Sequence, residues 1–148
     1  MESTIQGYRL SHQQERLLNL HGNKESYISQ FAVHLDGNLN VGEIKSFIEA
    51  LIKKHEIFST TFEYLPGMKL PVQVIDKPIP LKWNNIDLDS QLQVGSNKNN
   101  RIDKILEHER IALKQNLNFP IRATLVKFSN EEYTLIITMS SLYSDSWT

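Results

Sequence analysis

Three observations in the sequence predict an α+β fold of mixed helix and strand layers. One segment, Val41 to Ile52, carries apolar residues at helical spacing. Several short segments alternate or run apolar as strands do, ending in the pair Ile121 to Phe128 and Glu132 to Met139. The two kinds interleave: helix, strand, helix, several strands, helix, hairpin. At 148 residues the chain forms one domain or part of one, long enough to bury a real core.

The first helix opens at Leu10-Ser11-His12-Gln13-Gln14. Ser11 and Gln14 have capping-box spacing, Leu17, Leu18 and Leu20 supply an apolar side, and His21-Gly22 offers the stop. Tyr27 to Leu35 alternates as a half-buried strand, with Tyr27, Ser29, Phe31, Val33 and Leu35 on one face and Gln30, Ala32 and His34 on the other. Asp36-Gly37-Asn38 makes a turn. Asn40 then caps the second helix. Its stripe of Val41, Ile44, Phe47, Ile48, Leu51 and Ile52 belongs to the core, unless a missing part of the fold leaves some of it bare. Lys53 and Lys54 suit its last turn, where they complement the helix dipole.

Ile57 to Tyr64 and Leu70 to Ile75 are strand-like, joined across Leu65-Pro66-Gly67-Met68. Pro78 and Pro80 precede a short strand around Leu81 to Ile86. The polar run Gln91 to Asn100 reads as a surface loop. A third helix from about Arg101 to Asn116 turns Ile102, Ile105, Leu106, Ala112 and Leu113 inward. Pro120 closes the next loop, and the hairpin turns at Ser129-Asn130-Glu131.

Composition excludes several classes. A net charge of −1 selects for neither nucleic acid nor an anionic membrane surface. The absence of cysteine removes disulfides and thiolate metal sites, and fits a reducing compartment. No apolar run approaches the ~20 residues of a membrane span, and Met1 to Gln6 has no signal-peptide character, so a cytoplasmic location is expected.

Chemistry is expected where the last strand runs out into Ser140-Ser141-Leu142-Tyr143-Ser144-Asp145-Ser146-Trp147-Thr148. Ser140 and Ser141 stand near Asp145, but neither sits in a Gly-x-Ser-x-Gly elbow and no histidine is close in sequence, so polar loop residues are the better reading. His55-Glu56 lacks the second histidine of a zinc motif. His12, His21, His34 and His108 are scattered and read as solvated or lightly buried. Trp147 either packs inward or belongs to an interface.

Five segments in order resemble the condensation domains of nonribosomal peptide synthetases. Leu10-Ser11-His12-Gln13-Gln14-Glu15-Arg16-Leu17 is similar to Leu-Ser-x-x-Gln-x-Arg-Leu. Lys54-His55-Glu56-Ile57-Phe58-Ser59-Thr60-Thr61-Phe62 is similar to Arg-His-Glu-x-Leu-Arg-Thr-x-Phe. Leu35-Asp36-Gly37-Asn38-Leu39 resembles the Leu-x-Gly-x-Leu turn, and Leu117 to Ala123 resembles the family's strand entry at Pro-Leu-Arg-Ala. Ser140 to Thr148 aligns with His-His-x-x-x-Asp-Gly-x-Ser.

The resemblance implies the first lobe of a two-lobed chloramphenicol-acetyltransferase-like fold, with residues 1–148 a partial domain lacking the second lobe. It places Ser141 where the family's second histidine orients or deprotonates an acceptor amine, work suited to imidazole. Ser140 stands for the first histidine, Ser146 for the glycine, and Asp145 keeps an ion-pairing, structural position. Lys54 and Ser59 replace two arginines, which removes one candidate cation for Asp145. His55-Glu56 is expected to help hold the lobe together. The related cyclisation domains use Asp-x-x-x-x-Asp-x-x-Ser, of which only Asp145 matches.

The expected function is therefore that of a catalytically inactive condensation-type domain with a structural, interdomain role. The resemblance implies adjacent adenylation or carrier domains as partners and no cofactor of its own, substrates being carried on phosphopantetheine. Beginning at Met1, the chain could head an initiation module, which has no upstream donor. The rival readings are the front of an active amide- or ester-forming acyltransferase with altered chemistry, and the remnant of a decayed gene.

Overall fold

A computed structural model describes residues 6–19, 28–76, 78–88, 97–115 and 121–144. The elements are β1 (Gly7–Tyr8), α1 (His12–Asn19), β2 (Ile28–Asp36), α2 (Val41–Lys54), a 3-10 turn (Glu56–Ser59), β3 (Thr60–Glu63), β4 (Val72–Ile75), β5 (Lys82–Asp87), α3 (Lys98–Gln115), β6 (Ile121–Ser129) and β7 (Glu132–Ser140). They make the predicted mixed α+β layers.

The main sheet has the order β2-β7-β6-β5. β6 and β7 are its centre and are buried on both faces, which is why their sequences run nearly continuously apolar. Successive residues point to opposite faces. Ile137, Ala123 and Ile121 pack with Ile52 of α2, while Ile136, Val126 and Phe128 pack with Ile102, Ile105 and Leu106 of α3. The sheet is thus held between α2 on one side and α3 on the other. β5 and β6 are parallel, and α3 lies in the connection between them, as a parallel pair requires. A smaller antiparallel sheet, β1-β4-β3, stands beside the main one.

Local chemistry sets the boundaries. The Asn40 side chain accepts from Glu43 N at the start of α2, and Ser11 and Gln14 form the predicted capping box of α1, with both bonds made. Gly37 and Gly67 occupy turns at φ 106° and 82°, a region that side-chain-bearing residues avoid.

Several expectations are corrected. β2 lies at the sheet's edge, so Phe31 and Val33 are 50% and 41% exposed rather than on a half-buried face. On α2 the inward line is Ile48 and Ile52, while Phe47 is 65% and Leu51 39% exposed. The segment from Ile57 begins as a 3-10 turn, closed by Phe58 N donating to His55 O, and becomes strand only at Thr60. α3 starts at Lys98, inside the polar run read as loop, because the Asn97 side chain accepts from Asn99 N. Leu20 to Tyr27, Gln91 to Ser96 and Asn116 to Pro120 lie outside the described residues.

Candidate functional site: a serine loop clamped from three sides

β7 ends at Ser140 and turns at once. Tyr143 N donates to Ser140 O at 3.0 Å, and Leu142 N donates to Ser140 Oγ at 3.3 Å. Ser140 is buried, so its hydroxyl is spent inside the turn. Ser141 leaves the turn on the α2 side of the sheet, where its Oγ shares a 3.0 Å hydrogen bond with Ser29 Oγ of β2. A second hydroxyl is no base, so this partner gives Ser141 no nucleophilic character.

Two other elements, α1 and β3, grip the loop, and β4 braces the first of them. Gln14 of α1 is 6% exposed. Its Oε1 accepts from Ser11 N at 2.8 Å, and its amide donates to Leu142 O at 3.0 Å and to Gln73 Oε1 of β4 at 3.1 Å. Gln73 in turn donates to Arg9 O at 2.8 Å. On β3, Tyr143 OH donates to Thr60 O at 3.0 Å, and its ring meets Phe62 edge-on with centroids 5.4 Å apart. Burial pushes the Tyr143 phenol from 10.0 up to about 12, so it stays a donor at physiological pH.

Beneath the strand end, α3 and the sheet share a polar layer. Gln30 donates to Thr138 Oγ1 and to Leu106 O, and accepts from Arg110 Nε. Arg122 Nε donates to Glu109 Oε2 at 2.6 Å, with Glu109 only 1% exposed. Such a pair fixes α3 on β6, because separating it strands a charge.

The loop borders an open cleft lined by Ser11, Gln13, Gln14, Ile57, Ser141 and Ser144. Ser144 Oγ is buried there with no hydrogen-bond partner among the described residues. Among the described residues no histidine lines the cleft. His55 and Glu56 are exposed, and their recorded hydrogen bonds are through backbone: His55 N to Leu51 O, Phe58 N to His55 O, and Thr60 Oγ1 to Glu56 O. His34 pairs with Asp36 at 3.2 Å on the far end of β2, and His108 lies exposed on α3. No group of His, Cys, Asp or Glu among the described residues could hold a metal ion, and no described helix is long and apolar enough to cross a membrane.

Of the three residues singled out on this loop, Ser140 and Ser141 are adjacent but turned to opposite faces. Asp145 lies outside the described residues, as do Ser146, Trp147 and Thr148. Sequence reasoning missed Gln14 and Tyr143 as loop anchors. The signal was present for Gln14: a capping-box glutamine uses only its oxygen and leaves an amide N–H₂ to place.

The comparisons fit this architecture. The sequence model of the family described as Condensation domain matches residues 4–148. The chain is 30% identical over 142 residues to bacitracin synthase 2 of Bacillus licheniformis, covering 93% of this chain and 5% of that protein. It is 26% identical over 147 residues to tyrocidine synthase 2 of Brevibacillus parabrevis, covering 95% and 4%. Among solved structures, the starter condensation domain of rhizomide synthetase superposes with TM-score 0.74 at 14% identity, covering 96% of this chain and 35% of that one. The X-domain from teicoplanin biosynthesis gives 0.67 at 19%, covering 96% and 29%. The chain thus spans about a third of these solved domains and a few per cent of the synthetases. With the family model matched over nearly all its length, the chain belongs to the condensation-domain family of nonribosomal peptide synthesis.

Proposed function

We propose that this chain is a catalytically inactive condensation-type lobe whose role is structural, packing against neighbouring synthetase domains. One observation carries the reading. Ser141, at the position of the family's amine-orienting histidine, is hydrogen-bonded to Ser29 and has no imidazole or carboxylate partner among the described residues. A serine hydroxyl without an activating base neither takes a proton from an amine nor attacks a thioester at neutral pH. The tie also occupies the hydroxyl in a contact between the loop and β2. The coverage of about a third of the solved starter condensation domain supports reading residues 1–148 as part of a larger domain, its first lobe. Adjacent adenylation or carrier domains are the proposed partners, and phosphopantetheine enters only as the carrier of their substrates.

The test is a condensation assay on the gene product as its source cells make it. It is supplied with aminoacyl donor and acceptor groups on carrier proteins, and intact-mass spectrometry follows the acceptor carrier. The expected result is no dipeptide above the enzyme-free background, together with measurable binding to an adenylation or carrier domain. Dipeptide formation that Ser141→Ala abolishes would refute the inactive reading and establish altered chemistry at the loop.

A further inference from the structure

Gln30 joins β2 to two other elements through one side-chain amide. Its Nε2 donates to Thr138 Oγ1 of β7 at 2.8 Å and to Leu106 O of α3 at 3.0 Å, and its Oε1 accepts from Arg110 Nε of α3 at 2.8 Å. In the ladder Gln30 stands directly opposite Thr138, which is fully buried. The residues two places away on the same face of β2 are Ile28 and Ala32, neither with a polar side-chain atom.

We propose that Gln30 is a positioning residue: it fixes the register of β2 on β7, and through that register the contact of Ser29 with Ser141. Backbone ladder bonds recur every two residues, so a strand moved by two, about 7 Å, keeps its pleat and nearly all its pairing. Side chains have to choose between such registers. In either slipped one an apolar residue, Ile28 or Ala32, faces Thr138, and all three bonds of the amide are lost. Each bond is worth roughly fivefold in an equilibrium, so together they favour the observed register by roughly a hundredfold. Ser29, the next residue, points to the other face and meets Ser141 Oγ at 3.0 Å. A slip toward the loop puts Phe31 in its place, and a slip the other way carries Ser29 about 7 Å off. None of the three bonds of Gln30 goes to the loop, yet the hold of β2 on the loop depends on them. The assignment is independent of whether the loop is catalytic.

The test reads register directly, on the gene product at the length its source cells make it. Cysteine pairs are joined by mild oxidation and the linked peptides are located by mass mapping. Leu135 lies opposite Val33. With Gln30 in place, Leu135→Cys should cross-link to Val33→Cys and not to Phe31→Cys or Leu35→Cys, which stand diagonally at about 7–8 Å. Adding Gln30→Leu, similar in size and without hydrogen bonds, should bring in the Phe31→Cys or the Leu35→Cys link at a yield comparable with that of Val33→Cys. Exchange at the Tyr143 amide should rise at least ~fivefold in Gln30→Leu, the worth of the lost Ser29 bond. A Gln30→Leu protein that links only through Val33→Cys overturns the proposal, and leaves the Gly37 turn, whose N–H donates to Glu131 O, to set the register. If circular dichroism shows Gln30→Leu unfolded, Thr138→Val with Arg110→Met keeps Gln30 and removes two of its three partners. A slipped link at roughly a fifth of the native yield is then expected, and its absence overturns the proposal equally.

Discussion

Replacing Gln14 with glutamate separates two roles that the sequence merges. As a cap, glutamate is as good as glutamine, since only the side-chain oxygen accepts from Ser11 N. As a clamp it fails. Gln14→Glu removes the donors to Leu142 O and Gln73 Oε1 and points a carboxylate at two oxygens in a site 6% exposed. Each lost bond is worth about 1 kcal/mol net, and the stranded acceptors add a desolvation cost, for a total of about 2–4 kcal/mol. With a urea slope of about 2 kcal/mol per molar, the midpoint should fall by about 1–2 M. Hydrogen exchange at the Tyr143 amide, which bonds Ser140 O, should accelerate more than exchange in the centre of β6. A variant as stable as the parent, with Tyr143 exchange unchanged, would refute the clamp and leave Gln14 a helix cap only.

Four further single substitutions test the packing. Tyr143→Phe should cost about 1 kcal/mol for the lost bond to Thr60 O. It should also flatten an alkaline dependence. The folded phenol is raised from 10.0 to about 12, so its contribution is complete below pH 10 and is lost as pH climbs toward 12, a difference that urea midpoints across that range would read. Arg122→Met should cost about 3–5 kcal/mol by leaving the buried Glu109 with only the exposed His108 ring 3.8 Å from its other oxygen, and the double change Arg122→Met with Glu109→Leu should regain most of it in the same unfolding assay. Ile52→Ala should cost about 2–5 kcal/mol at 4% exposure. Phe47→Ser, five residues earlier on the same helix and 65% exposed, should change thermal stability by no more than about 0.5 kcal/mol.

What was legible in the sequence follows from what local physics fixes. The capping box of Ser11 and Gln14, the Asn40 cap and the hairpin of β6 and β7 depend on neighbours a few residues apart, and all were readable. The sidedness of β2 and α2 was not. Alternation shows that Phe31 and Val33 share a face with Leu35, but not that β2 ends the sheet and leaves that face open. Helical spacing groups Phe47 with Ile48, but the width of the covering layer decides which of them is buried. The 3-10 turn at Glu56 escaped for a third reason. Its residues are apolar enough for a strand, and a backbone bond from Phe58 N to His55 O overrides that preference.

The site was legible as a place more than as a mechanism. Three motif segments were read separately, and the fold shows why they occur together. Gln14, from the first, holds Leu142 O; Thr60 and Phe62, from the second, hold Tyr143; the third is the loop so held. Residues of the first two segments that touch the loop match the family's motifs here, while Ser140 and Ser141, at the positions of the two motif histidines, do not. Loss of folding would predict the opposite pattern, because Gln14 and Thr60 are buried and hold the loop, and their replacement would release it before any change of its own. On the proposed reading, a chain with an intact clamp and serines in place of histidines is one in which the loop's position matters without its chemistry. That favours the packing role over the remnant, and it predicts that releasing the clamp by Gln14→Glu weakens binding to a neighbouring synthetase domain, while Ser141→Ala, which spares the clamp, leaves that binding unchanged in a titration against the same domain.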